Sequence, residues 1–94
     1  MKKKKETWYL YIVRCSNDAF YTGITKDIPN RVEKHNSGKG AKFTRTYRPC
    51  ELVYFETLPS VQDAMKREIA VKKLSRAKKE DIVNSFPIAE LEKV

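Results

Sequence analysis

Apolar and polar positions along this chain change period several times, and each change marks an element. Residues 8–14 (WYLYIVR) are dense in aromatic and β-branched side chains, which predicts a strand. Ser16-Asn17-Asp18 is turn chemistry, and residues 19–24 (AFYTGI) predict a second strand. The short separation makes the two an antiparallel hairpin. Alternation places Tyr9, Tyr11 and Val13 on one face of the first strand, and Trp8, Leu10 and Ile12 on the other. If opposing residues sum to 32, Tyr11 lies across from Tyr21; the pattern permits this register without forcing it.

Beyond the hairpin the period becomes helical. Asp27 suits an N-cap, Pro29 suits a first turn, and a helix over 28–36 should stop at Gly38. Residues 37–48 read as a basic, glycine-containing loop. Residues 51–57 predict a third strand. Ser60 with Asp63 resembles a capping box opening a helix to about residue 75. A shorter helix near 78–85 and a weakly amphipathic tail over 88–94 complete the order β-β-α-β-α-α. The expected class is α/β in the α+β sense: a three-stranded antiparallel sheet flanked by helices.

Length keeps this to one domain: 94 residues bury one modest core. The division expected is a basic arm at 1–6, a folded domain at 7–85 and a tail at 86–94. No apolar run is long enough for a membrane span or signal-peptide core, so a cytoplasmic protein is expected. Cys15 and Cys50 form no CxxC pair and read as reduced and structural. With a single histidine, a zinc cluster is not expected.

Charge points to a partner. Twenty Lys and Arg against twelve Asp and Glu give a net +8. The excess is concentrated: residues 26–48 carry +5 and residues 66–79 carry +6, whereas 49–65 and 80–94 each carry −3. Two basic blocks within the folded part suit a polyanion, most naturally nucleic acid. The candidate backbone contacts are Lys39, Lys42, Arg45 and Arg48, with Lys72 and Lys73, joined by Arg76, Lys78 and Lys79, as a second patch.

Four positions break the ordinary pattern. Val61, Ala64, Met65 and Glu68 share one helical stripe, so a carboxylate falls in line with three apolar residues. Such a carboxylate belongs at a core edge, against a cation or on a pocket. A rim pair with Lys or Arg is the ordinary outcome; a catalytic or metal-binding role is the other. Arg31 and His35, four apart, project side by side next to the inward Ile28 and Val32. An arginine there suits a phosphate, through a planar fork whose charge does not titrate away. Gly23, two residues after Tyr21, leaves room for a close approach in the second strand.

Tyr9-Leu10-Tyr11 and Tyr21-Thr22-Gly23 together resemble the two-part signature of GIY-YIG nuclease domains. The likeness continues through Asn30-Arg31-Val32-Glu33-Lys34-His35-Asn36 and Arg67-Glu68, covering roughly residues 7–83. It is nearest to the small stand-alone bacterial members, as Gly38-Lys39-Gly40-Ala41-Lys42 and Leu52-Val53-Tyr54 indicate. Two departures stand out. Tyr9 takes the place of the first triplet's glycine, and Thr22 that of the second triplet's aliphatic middle residue.

The resemblance implies a catalytic set of Tyr11, Tyr21, Arg31, His35 and Glu68, with Gly23 structural beside it. It implies one Mg2+ or Mn2+ on Glu68 and hydrolysis of DNA phosphodiester bonds with low sequence specificity, in repair or recombination. Tyr11 would orient or deprotonate the attacking water, Tyr21 would bind the water or phosphate, and Arg31 would neutralise the growing charge. His35 would assist proton transfer or touch a phosphate. The alternative is a non-catalytic nucleic-acid-binding module on the same fold. A protein partner is possible but not indicated.

Overall fold

The computed structural model describes residues 7–94; the basic arm expected at 1–6 lies outside the described residues. Strands β1 (Trp8–Arg14), β2 (Phe20–Thr25) and β3 (Glu51–Leu58) form one antiparallel sheet in the order β2-β1-β3. Helices α1 (Ile28–Ser37) and α2 (Lys42–Thr46) precede β3; α3 (Val61–Lys72), α4 (Arg76–Asn84) and α5 (Ile88–Leu91) follow it.

The central strand is buried on both sides. Tyr11 and Val13 pack with Ile28 of α1 and with Cys15 and Cys50. Leu10 and Ile12 pack with Val71 of α3 and Val83 of α4. This is the face division that the alternation in β1 predicts, and it explains why the strand reads as a nearly continuous apolar run. Tyr9 sits in the regular ladder between Thr25 and Thr57 and meets Phe55 edge-on, so a tyrosine there leaves the strand undistorted.

Turn geometry sets the hairpin register. Cys15 N–H donates to Ala19 O at 2.8 Å, and Asp18 takes a left-handed φ of 67°. This three-residue loop with a left-handed last residue pairs Arg14 with Phe20. Opposing residues therefore sum to 34 rather than 32. Tyr11 faces Gly23, and Tyr21 faces Val13. The two tyrosines share a face but are diagonal neighbours. In β3 the register slips between the partners of Ile12 and Val13, skipping Val53. The bulge returns Leu52 to the side of Phe55, toward α1. Phe86 then meets Tyr54 and Phe55 edge-on, at 5.0 and 5.2 Å. Those residues belong to opposite faces, so Phe86 straddles the edge strand.

The helix ends follow capping chemistry. Asp27 accepts from Asn30 N–H at 3.1 Å, and α1 closes on a left-handed Gly38. Ser60 accepts from Asp63 N–H to open α3. That helix stops at Lys72 rather than near residue 75, because Ser75 caps α4 by accepting from Lys78 N–H. Met65 is exposed rather than inward; the buried stripe of α3 is Ala64 and Val71, with Glu68 between them. The segment 37–48, expected as a loop, contains α2. Among the described residues no helix is long and apolar enough to cross a membrane.

Cys15 and Cys50 are free, buried thiols with sulfurs 3.2 Å apart. Burial, with the hydrogen bond to Cys50, pushes the Cys15 thiol up to about 12, so almost no thiolate exists near neutrality. Both cysteines should resist a thiol reagent in native buffer and react promptly in denaturant. Rapid native labelling would contradict this packing.

Candidate active site

The site begins at Gly23. A Cβ on Gly23 would lie 2.5 Å from the Tyr11 hydroxyl oxygen and 2.7 Å from its Cζ. Only glycine opposite Tyr11 lets the phenol lie across the edge strand β2. Tyr11 is 2% exposed, yet its hydroxyl has a partner: His35 Nε2 at 2.8 Å.

His35 itself is 1% exposed, and both ring nitrogens are bonded. Its Nδ1 lies 2.6 Å from Thr44 Oγ1, whose hydroxyl donates to Ala41 O at 3.0 Å. The Thr44 hydroxyl has one proton, and a carbonyl can only accept. Thr44 therefore accepts from Nδ1–H, which leaves Nε2 as the acceptor for the Tyr11 hydroxyl. The chain of donors runs Tyr11 to His35 to Thr44 to Ala41. Gly40 makes room for it: a Cβ there would lie 2.5 Å from His35 Nδ1.

Burial, then the nearby Arg31 charge, hold His35 below its usual range. Burial pushes the Tyr11 phenol well up; Tyr21 and Glu68 push the same way and Arg31 opposes them. The resting pair is thus a neutral phenol donating to a neutral imidazole. The sign of the pH effect follows. Folding keeps His35 neutral, so its contribution is intact above the unfolded value of 6.5 and is lost as pH falls through the lower folded value. Urea midpoints should fall on acidification from about pH 7, and His35→Gln should flatten that dependence. An equally steep fall in the variant would show that other groups govern it.

The remaining candidates surround this pair. Tyr21, half-buried, meets the His35 ring edge-on at 5.3 Å. Arg31, also half-buried, lies near enough to act on both Tyr11 and His35, and no carboxylate pairs with it among the described residues. Glu68 comes from α3, which packs on the other face of the sheet, yet its charge also reaches Tyr11. Its side chain is 24% exposed, with Lys72 Nζ at 3.4 Å, the rim pairing expected of such a carboxylate. Of the five residues singled out in the sequence, Tyr11 is hydrogen-bonded to His35 and Tyr21 meets that imidazole edge-on, whereas Arg31 and Glu68 act on the Tyr11 phenol through their charges.

Sequence reasoning missed Thr44 and Gly40, which position His35. It also missed α2, although Phe43 and Tyr47 at helical spacing were a signal for it. Among the expected phosphate contacts, Lys39, Lys42, Arg45 and Arg48 are exposed. Arg76 is committed elsewhere: it bonds Glu80 at 2.9 Å, reaches Asp18 and lies 4.1 Å over the Phe20 ring. Arg67 is likewise held in a two-pronged pair with Glu56.

A family model described as the GIY-YIG catalytic domain matches residues 7–81. The chain belongs to the GIY-YIG family. Its similar relatives include a UPF0213 protein of Staphylococcus saprophyticus, 46% identical over 76 residues, covering 81% of this chain and 93% of the relative. A UPF0213 protein of Staphylococcus aureus is 47% identical, covering 79% and 90%. The solution NMR structure of a UPF0213 protein from Bacillus halodurans superimposes with a TM-score of 0.58 at 44% identity, covering 92% of this chain and 93% of that one. A second NMR structure, of an E. faecalis protein, gives 0.58 at 38% identity, covering 92% and 91%. The α+β fold with its three-stranded antiparallel sheet is shared with these GIY-YIG relatives. Membership in a family described by its catalytic domain points toward nuclease chemistry on a nucleic acid.

Proposed function

We propose that this GIY-YIG protein is a divalent-metal-dependent endonuclease that hydrolyses phosphodiester bonds in DNA with low sequence specificity, in repair or recombination. The observation that carries the reading is Arg31: a half-buried guanidinium with no carboxylate partner among the described residues, near a phenol already hydrogen-bonded to a neutral imidazole. An uncompensated cation in such a place is stabilised by an anion, and a phosphate matches its fork.

Tyr11 is the residue that would meet the attacking water. Its hydroxyl proton is already directed at His35 Nε2. As the phenol oxygen takes a proton from water, its own proton passes to His35. The resulting imidazolium keeps its Nδ1–H on Thr44. Both ring nitrogens of His35 are taken, by the Tyr11 hydroxyl and Thr44, so His35 would act through Tyr11 rather than on the substrate. Arg31 depresses His35 while the site is empty of substrate; a bound phosphate offsets that charge and makes His35 a better base when it is needed. Tyr21, half-buried and edge-on to His35, would hydrogen-bond the water or a phosphate oxygen.

Glu68 fits a magnesium-type ion. The described residues contain no cluster of three or more His, Cys, Asp or Glu, so no protein cage of the zinc kind is formed. One partly exposed carboxylate leaves the other positions to water and phosphate oxygens, which is how Mg2+ is commonly held. Such an ion, Mg2+ or Mn2+, would supply Lewis-acid stabilisation of charge on the phosphate.

A cleavage assay on labelled DNA with Mg2+, Mn2+ or EDTA tests the reading, with Glu68→Ala alongside. Cutting should require the metal and disappear in the variant. Absence of cutting by the unaltered protein on single-stranded, duplex and branched DNA would leave only a binding module.

A further inference from the structure

Phe43 and Tyr47 are each 37% exposed, outside the core of the fold. Their rings lie 4.8 Å apart on α2, and Lys42, Phe43, Thr46 and Tyr47 line an open pocket of about 430 Å3. Phe43 runs nearly parallel to Tyr21, at 17° and 6.3 Å. Tyr21 in turn meets His35 edge-on. The exposed rings are therefore continuous with the candidate site.

The platform is anchored from two sides. Thr44, between the two aromatics, is buried against His35. The carbonyl of Tyr47 accepts from Ser16 N–H and from the Ser16 hydroxyl, both at 2.9 Å, which ties the end of α2 to the β1–β2 turn. A five-residue helix held in this way presents its rings in a defined place. Around it Lys39, Lys42, Arg45 and Arg48 are exposed, with no carboxylate partner among the described residues.

We propose that α2 is a stacking subsite for an unpaired nucleobase, with Phe43 and Tyr47 taking the base and Lys42 and Arg45 the flanking phosphates. The chemistry selects the occupant. Exposed rings set among unpaired cations suit a ligand that is both flat and polyanionic, and a nucleic-acid strand is both. Paired bases in a duplex present only their edges, so a base face becomes available in a single strand or where a nucleotide is extruded. The subsite deepens the nuclease reading and rests on it for its place beside the cleaved bond: strands with an unpaired nucleotide there are the substrate class.

The test is binding, in EDTA so that nothing is cut, of fluorescent single-stranded DNA, the matching RNA and the blunt duplex. Phe43→Leu/Tyr47→Leu should weaken single-strand binding at least about tenfold. Duplex binding and the slope of affinity against salt should stay unchanged, because no charge is removed. The matching RNA distinguishes which strand supplies the base; loss on either supports the subsite. A second measurement leaves the protein unaltered: an oligonucleotide carrying one abasic position, moved along the strand, should lose a similar factor at one or two positions only. Equal binding by the variant, equal loss on duplex, or indifference to every abasic position would overturn the subsite. Selective loss without any cleavage by the unaltered protein would remove the nuclease reading and keep the subsite. Metal-dependent cleavage with unaltered binding in the variant would do the reverse.

Discussion

If the proposed cleavage holds, Arg31→Ala should lower its rate by about 10²–10³-fold at saturating metal, the scale of losing one preorganised donor aimed at developing charge. The fold should tolerate the change. Arg31 is half-buried and pairs with no carboxylate among the described residues, so thermal stability should stay within about 0.5 kcal/mol. Arg31→Lys should recover only part of the rate, because it restores the charge and not the planar fork. A second readout is independent of turnover. Arg31 is one of the two causes holding His35 below its usual range, so an NMR titration of the variant should place His35 higher. A normal rate in Arg31→Ala would refute the proposed role; an unmoved His35 would refute the electrostatic link.

Gly23→Ala should damage both the fold and the reaction. The new methyl would lie 2.5 Å from the Tyr11 hydroxyl oxygen and 2.7 and 3.0 Å from ring carbons Cζ and Cε1. That ring cannot swing aside freely, since it is buried and its hydroxyl is held by His35. Overpacking of this kind costs about 1–3 kcal/mol. Relief means moving the phenol off His35 Nε2, which removes the proton path proposed for the water. We expect a lower urea midpoint and cleavage reduced at least as much as in Tyr11→Phe. Full activity with unchanged stability would show that β2 yields at little cost and that the close approach is incidental.

Much of this molecule can be read from local patterns. The strands, the caps at Asp27 and Ser60 and the stop at Gly38 follow from side chains acting within a few residues of themselves. The two faces of β1 follow from strict alternation. The structure departs from local pattern where a turn or a neighbouring element decides the outcome. The hairpin register depended on the left-handed Asp18 and the three-residue loop it closes, which shifted every pair by two. Helix α3 ends at Lys72, short of the residue 75 its pattern predicts, because Ser75 caps the next helix. Helix α2 lies in a segment whose basic, glycine-containing composition predicts a loop.

The candidate site shows the same division. Tyr11, Tyr21, Arg31, His35 and Glu68 stood out by residue type and spacing, and the chain by itself determined that these chemistries were available on strands and helices. Their convergence was a tertiary matter. Glu68 arrives from a helix on the other face of the sheet, and Thr44, with no signal of its own, decides which nitrogen of His35 carries the proton. Local pattern settles elements because capping, alternation and turn chemistry act over one to four residues. Proton direction depends on groups brought together across 9 residues of chain, for His35 and Thr44, and 24, for Tyr11 and His35, and only packing sets those distances.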